Sequence, residues 1–364
     1  MVNARFAASR RALRSSIMFR SIVGGCLLFC ALIAWSSTLF YLQGDSLAAW
    51  FDSAGSRDAG IMSYDKQPEL DYEPTRVDVT TLTPRMPLRI VTFNVRYATS
   101  SPVRGEKPWN ERGPKLLNEL NFITAGHENA FLCFQEVLYD QLQDIQASLG
   151  PSWASIGRGR DDGKKKGEFS PVFYRSDVWR LERSQTRWLS DTPEKPSYGW
   201  GASHRRIVVM GEFSHKVTGT KVVVMSTHFD YQIKKARKHS AEHLLQYARE
   251  WSQGNDTSAV LIGGDFNSTP DDVAYKLMTE PGSGMHDISD LLPEEKHHGN
   301  RLTYTSFGEP NEWPQRIDFL FIQEPVTAVV KTFSVLENVF DDRIRVSDHR
   351  PVVSDLEIVV DPSA

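Results

Sequence analysis

Cysteine is scarce in this 364-residue chain, which has only three. Cys26 and Cys30 lie in an apolar N-terminal run and Cys133 stands alone in the body, so no disulfide can staple the body and a disulfide scaffold is excluded. Within Phe131-Leu132-Cys133-Phe134 the lone thiol is expected to be a small buried hydrophobe, not a reactive group. No cysteine or histidine cluster has metal-ligand spacing, which disfavours zinc. Acidic residues are absent before residue 44, where five arginines occur (Arg5, Arg10, Arg11, Arg14 and Arg20). Setting these aside leaves 37 basic against 46 acidic residues, about −9 for the remainder. An acidic body repels polyphosphate at long range unless a basic patch or bound cation offsets it. This weighs against tight sequence-independent DNA binding, although a nuclease using bound cations is not excluded. There is no internal repeat.

The chain does have one long hydrophobic run. Ile22 to Leu42 is 21 residues without a charge, and about 20 apolar residues span a bilayer as a helix. A signal-peptide apolar region is shorter, about 7–15 residues, behind a short basic head. Here the arginine-rich head is long and the following segment carries Asp45 and Asp52, so the positive side is expected to remain cytoplasmic. The expected organisation is a basic cytoplasmic N-terminus (1–21), a transmembrane signal anchor (22–42) and a stem or linker (43–86), followed by a catalytic body (87–364) on the exoplasmic side of the secretory pathway or at the cell surface. Secretion after signal-peptide cleavage is the alternative. The stem is too polar and aperiodic to fold alone. Two glycosylation sequons follow, Asn255-Asp256-Thr257 and Asn267-Ser268-Thr269, the second with Pro270 directly after it.

From residue 87 onward, short runs rich in Val, Ile and Phe recur, as buried strands do. Leu88–Phe93 ends at Asn94, Phe131–Phe134 at Gln135-Glu136, Lys221–Met225 at Ser226-Thr227-His228, and Ala259–Ile262 at Gly263-Gly264-Asp265-Phe266-Asn267. Ile317–Ile322 carries Asp318 near its start, and a final strand is expected after Ser347-Asp348-His349. Helices are expected over Pro114–Thr124 and Lys234–Trp251, the latter with an apolar stripe. Strands mixed with helices imply a layered α/β domain. Polar groups directly after apolar strands are where a rigid scaffold presents catalytic side chains.

Taken singly, these motifs have plain structural explanations: Gly-Asp-Phe-Asn as a turn, Thr-His-Phe as a satisfied core histidine, Glu136 as a solvated charge. Together and in this order they carry more weight: Thr92-Phe93-Asn94, Gln135-Glu136, Glu168 before Phe173-Tyr174, Thr227-His228, Gly264-Asp265-Phe266-Asn267-Ser268, Ile317-Asp318, and Ser347-Asp348-His349-Arg350-Pro351. The series closely resembles the endonuclease/exonuclease/phosphatase superfamily over about residues 87–360. Trp188-Leu189-Ser190-Asp191-Thr192-Pro193 and Arg205-Arg206-Ile207 resemble one branch of it. The resemblance implies a four-layered α/β sandwich, two packed mixed β-sheets flanked by helices, with the site at one end. It implies Asn94, Glu136 and Asp348 at a Mg²⁺ site, with Mn²⁺ as an alternative. Asp265 and Asn267 would orient water and phosphate, and His349 held by Asp318 would contact the phosphate. His228 paired with Glu168 would stand beside the leaving group, and Tyr174 and Arg206 would bind substrate. Asp230 and Arg205 are weaker candidates.

The chemistry agrees with this. Mg²⁺ takes hard oxygen ligands and keeps several waters, and histidines move protons near neutral pH. No serine or cysteine nucleophile is implied, so attack by water is the simplest route. Three functions remain open: a phosphoesterase acting on a small or lipid-linked phosphate at a membrane, an anchored or secreted nuclease cleaving DNA or RNA, and a non-catalytic binding domain on the same fold. The expected partners are a phosphate ester, a membrane through the N-terminal helix, and nucleic acid in the second case. Nothing in the sequence identifies a protein partner. The basic loop Arg158, Arg160, Lys164, Lys165 and Lys166 either grips a polyanion or is simply solvated.

Overall fold

The computed structural model describes residues 83–253 and 257–360. The basic N-terminus, the anchor, the stem up to residue 82 and the Asn255 sequon lie outside the described residues. Among the described residues no helix is long and apolar enough to cross a membrane.

The described residues form thirteen strands and four α-helices, of which the apolar patterns above marked six strands and two helices. In chain order they are β1 (Arg85–Asn94), α1 (Trp109–Thr124), β2 (Ala130–Gln135), α2 (Tyr139–Leu149), β3 (Trp153–Ile156), β4 (Val172–Arg175), β5 (Trp179–Trp188), β6 (Ile207–His215), β7 (Lys221–His228), α3 (Lys234–Trp251), β8 (Thr257–Asp265), α4 (Val273–Thr279), β9 (Met285–Asp287), β10 (His297–Gly299), β11 (Asp318–Gln323), β12 (Val329–Val335) and β13 (Val352–Val359). One sheet has the order β10-β12-β13-β1-β2-β4-β3 and the other β5-β6-β7-β8-β11-β9. Both are mixed: β1 pairs β2 in parallel and β13 antiparallel, and β7 pairs β8 in parallel.

The central strands are apolar on both faces because both faces are covered. Along β1, Leu88 and Ile90 point between the sheets while Val91 and Phe93 point outward under the α1 and α2 side. Along β7, Val222 and Val224 point inward and Val223 and Met225 outward, against Leu244, Tyr247 and Ala248 of α3. Period-2 alternation of apolar residues thus builds three apolar layers within a helix–sheet–sheet–helix sandwich. Each Val, Leu, Ile or Phe fully buried in those layers contributes about 1.5–3 kcal/mol. Cys133 is wholly buried in the inter-sheet layer, where burial pushes its thiol up to about 12, so it packs as a hydrophobe.

Three boundaries differ from expectation. β1 starts at Arg85, inside the expected stem, because Arg85 already pairs with Val359 of β13. α1 begins at Trp109 and runs through Pro114. Its first turns are anchored by the buried Arg112, whose guanidinium donates to the carbonyls of Val95 (2.9 Å), Val346 (2.9 Å) and Arg96 (2.8 Å). Finally, Asn94, His228 and Asp265 do not follow their strands but are their last residues. His228 sits opposite Asp265 in the β7–β8 ladder, and Asp265 opposite Asp318 in the β8–β11 ladder. Their spacing is therefore set by sheet geometry.

Candidate active site

Strand direction gathers the polar residues. β1, β2, β7 and β8 end at one edge of the sandwich, where β11 begins and where His349 leads into β13. Two glycines let the sheets close there. A Cβ on Gly263 would lie 2.8 Å from Cβ of Cys133 and 3.1 Å from Cβ of Thr92 on the facing sheet, and one on Gly264 would lie 2.7 Å from the Thr227 carbonyl oxygen. The Gly-Gly pair is therefore part of β8 and permits close sheet contact, and Asp265 follows it into the site.

His349 is buried between two carboxylates. Its Nδ1 lies 2.8 Å from Asp318 Oδ2 and its Nε2 3.7 Å from Asp265 Oδ2. Burial alone would lower its pKa, but Asp318 and then Asp265 outweigh it and raise it to about 10, so His349 is an imidazolium at neutral pH. Ligand atoms of Asp265, Asp318 and His349 converge within 4.8 Å, as those of a metal site would. The charged ring bridging the two carboxylates accounts for that convergence without an ion. Asp265 is itself raised to about 7, by burial and then by Asp318.

Asn94 joins this centre to the metal-site candidates. Its amide nitrogen donates to Glu136 Oε1 (3.1 Å) and Asp265 Oδ2 (3.0 Å), while its oxygen accepts the Arg96 amide (3.0 Å). In this orientation Asn94 holds two carboxylates in place. Burial would raise Glu136, but Arg96, His349, Asn94 and the Tyr97 amide hold it below the usual carboxylate range. Burial pushes Asp348 up, His349 offsets part of this, and the Glu136 charge adds to it. The mutually repelling Glu136 and Asp348 carboxylates are hard-oxygen donors that fit Mg²⁺ or Mn²⁺, whereas Asn94, expected among the ligands, presents Glu136 its nitrogen because the Arg96 amide takes its oxygen.

On the other flank, Asn267 donates through Nδ2 to His228 Nε2 and to the Phe229 carbonyl, both at 3.1 Å, and through its backbone amide to Asp265 Oδ1 (2.9 Å). Burial, followed by Arg206 and Arg160, pushes His228 well below the ordinary histidine range, so it is neutral. An Nε2 that accepts from Asn267 leaves the proton on Nδ1. The expected hydrogen bond between His228 and Glu168 is not made. The nearest approach, Nδ1 to Oε2, is 3.9 Å, and Nδ1 has no partner. Glu168 is instead gripped by Arg160 through two bonds of 2.6 and 2.7 Å. The fork of a guanidinium matches both carboxylate oxygens, which a single imidazole nitrogen cannot do.

Tyr174 does not reach the site. It packs in the inter-sheet layer, 4.7 Å between ring centroids from Phe213, because its position on β4 turns the side chain inward. Arg205 lies outside the pocket, on Asp161 (3.3 Å), whereas Arg206 lines it, nearly buried and 3.8 Å from the fully buried Asp230. The residues meet in a pocket of about 690 Å³ that also presents Arg96, Tyr97, Arg160, His204, Tyr231 and Tyr304. None of these six was singled out as a site residue. Arg160 was visible only as one charge in a basic loop, and Tyr231 only as the third residue after His228. Backbone at φ +60° for Glu136 and +45° for Asn267 marks the site as well; such conformations cost on the order of 1–3 kcal/mol and persist where surrounding contacts impose them.

A two-sheet α/β sandwich with a carboxylate–histidine site at one edge defines a class, and comparison with known proteins identifies it. The model of the endonuclease/exonuclease/phosphatase family matches residues 91–349, and the chain belongs to this family. The structure resembles an endonuclease/exonuclease/phosphatase of Bacteroides vulgatus (32% identity, 75% of this chain and 99% of that one, TM-score 0.64). It also resembles a mannosyl-6-phosphatase of Bacteroides thetaiotaomicron (30% identity, 74% and 99%, TM-score 0.64). An uncharacterized protein of Acanthamoeba polyphaga mimivirus is 34% identical over 85 residues; that match spans 22% of this chain and about a third (31%) of the viral protein's length.

Proposed function

We propose that the body hydrolyses a small phosphate ester, a phosphomonoester first, by attack of water in the presence of Mg²⁺ or Mn²⁺. The observation that carries this reading is one pocket lined by Glu136, Asp265, Asp348 and His349, with Asp318 buried behind it on His349 and Asn94 behind it on Glu136 and Asp265. Glu136, held in place by Asn94, and Asp348 would hold the cation, which when bound neutralises charge on the phosphoryl oxygens. The His349 imidazolium lies where it can donate to a phosphoryl oxygen, with Asp318 holding the ring. Asp265, raised to about 7, is poised to take a proton from water near neutral pH. Asn267 orients the same water through its contacts to Asp265 and His228. Neutral His228, protonated on Nδ1, provides a second proton site.

The charge inventory favours a small ester over a nucleic acid. The pocket is lined by Arg96, Arg160 and Arg206 against Glu136, Glu168, Asp265, Glu312 and Asp348. Each of the arginines has a carboxylate partner within 4.0 Å, so none is left over to track a phosphate backbone. The likeness to a mannosyl-6-phosphatase points to the same substrate class.

The test is metal-dependent release of phosphate from aryl and alkyl phosphomonoesters, with plasmid DNA, RNA, a phosphodiester and phospholipids as parallel arms. His349→Ala and Asp265→Ala should abolish turnover, and Glu136→Gln should weaken Mg²⁺ binding in calorimetry. Cleavage of plasmid DNA with no release from monoesters would replace this reading with the nuclease one. We propose further that residues 22–42 anchor the body on the exoplasmic side. Protease treatment of sealed vesicles whose cytoplasmic face is outward tests that: the N-terminal tag should be digested and the body protected, and a protected tag with a digested body would overturn it. Asn267 would then have to remain unglycosylated, since its amide nitrogen is engaged by His228 and Phe229.

A further inference from the structure

Building on the phosphoester reading, we propose that the Arg160–Glu168 ion pair, backed by Arg206, is a subsite that reads adjacent hydroxyl groups on the alcohol part of the substrate. The enzyme would then select phosphate esters of compact polyols or sugars over esters of apolar alcohols. The pair lines the same pocket as His228 and His349, with Glu168 Oε2 3.9 Å from His228 Nδ1, so a group bound there is directly beside the reacting phosphate.

The chemistry of the wall selects the ligand. A guanidinium only donates hydrogen bonds and a carboxylate only accepts them, whereas neighbouring hydroxyls do both. A diol laid across a fixed Arg–Glu pair satisfies donor and acceptor at once. The pair is fixed: the Arg160 amide donates to the Glu168 carbonyl (3.0 Å), the Trp188 indole donates to the Arg160 carbonyl (2.7 Å), and two bonds join the side chains. It is also partly open, with 10% of the Arg160 and 16% of the Glu168 side chain exposed. Four buried polar atoms without partners lie on this wall: Arg160 Nε, Arg206 Nε and Nη1, and His228 Nδ1. Such atoms are rare in folded proteins and mark places where a polar ligand or water is held.

Charge weighs against the obvious alternative, a second anionic group. Arg160 is paired with Glu168, whose carboxyl is pushed up to about 7 by burial, and Arg206 faces Asp230 at 3.8 Å, so above pH 7 the wall has little net positive charge to offer. A neutral hydroxylated group incurs no such repulsion. At the rim Tyr231 is 51% exposed, with His204 at 6.1 Å between ring centroids, offering flat faces to the C–H surface of a sugar ring.

The test compares kcat/KM of the full-length chain with Mg²⁺ for a hexose 6-phosphate and for n-hexyl phosphate, which share a carbon count and differ in hydroxyls. The native enzyme should prefer the hexose ester by about ten- to a hundredfold. In Arg160→Ala that ratio should fall to within about threefold of one, mainly through KM, whatever the absolute rates. Arg160→Lys keeps the charge without the fork and should recover only part of the preference; it carries the comparison if Arg160→Ala does not fold. Equal turnover of the two esters by the native enzyme, or an equal loss on both in the variants, overturns the subsite and leaves the phosphoesterase reading intact. Absence of metal-dependent turnover of either ester overturns the reaction reading, and the subsite with it.

Discussion

Replacing Asp318 by Asn removes one charge from the centre of the site while keeping its shape and one acceptor oxygen. Burial disfavours the His349 imidazolium, yet Asp318 at 2.8 Å and Asp265 at 3.7 Å carry it from 6.5 to about 10. At about 1.4 kcal/mol per pH unit this is a preference on the order of 5 kcal/mol for the charged ring. Asp318 is the larger of the two raising influences, so in Asp318→Asn the ring is expected to titrate at about 7. At pH 8 the native ring stays protonated almost completely, and the variant ring to about one-tenth. If the imidazolium is the active form, kcat/KM at pH 8 falls about tenfold from this cause alone, and at pH 6, where both rings are about nine-tenths protonated or more, the gap nearly closes. The assay is a pH–rate profile at saturating Mg²⁺, together with the ¹⁵N shifts of the His349 ring. Native and variant profiles that run parallel between pH 6 and 9, with the ring charged in both, would refute the reasoning. Stability follows the same linkage. A folded-state pKa raised above an unfolded 6.5 contributes stability that is fully present below pH 6.5 and is lost as pH rises through about 10. The variant should therefore lose most stability, relative to native, at acid to neutral pH.

The remaining predictions concern packing and placement. Gly263→Ala forces a methyl against Cys133 and Thr92 on the facing sheet and should cost about 1–3 kcal/mol in chemical unfolding; an unchanged midpoint would show that the sheets yield freely. Glu119, partly buried in α1, is pushed up to about 8 by burial and then by Glu337. Its folded form keeps a proton that the unfolded chain loses above about pH 4.5, so stability declines across pH 4.5 to 8. Glu119→Gln should thus stabilise the fold more at pH 8 than at pH 5, by about 1 kcal/mol or more in chemical unfolding, and an equal effect at both would contradict this. Tyr174→Phe should leave kcat/KM within about threefold of native, since the side chain packs between the sheets; a loss of a hundredfold would return Tyr174 to the substrate.

Much of the fold was legible because both sheets are buried on both faces, which makes their central strands continuous apolar runs. β1, β2, β7, β8, β11 and β13 could be located in this way, and α3 was found at its observed ends from its apolar stripe. β5 was not, since it is an edge strand whose middle residues are mostly exposed and charged. The start of α1 was missed because Pro114 reads as a helix start, whereas Arg112 anchors the earlier turns through carbonyls distant in sequence. The candidate site residues Asn94, Glu136, Asp265, Asp318, His349 and His228 were legible as polar punctuation at the ends of apolar runs.

What the sequence by itself determined is the inventory: which carboxylates, amides and histidines occur, in which order, and on which strands, because strand propensity and apolar alternation are local properties. What only the tertiary structure decided is who partners whom. Arg160 takes Glu168 from His228, Asn94 turns its nitrogen toward two carboxylates, and Tyr174 faces the core while Tyr231 and Tyr304 face the pocket. Those outcomes depend on which side of a sheet a residue lands and on competition among neighbours brought together across the fold. A guanidinium fork wins a carboxylate over a single ring nitrogen once both are within reach, and only the packed sheets determine that reach.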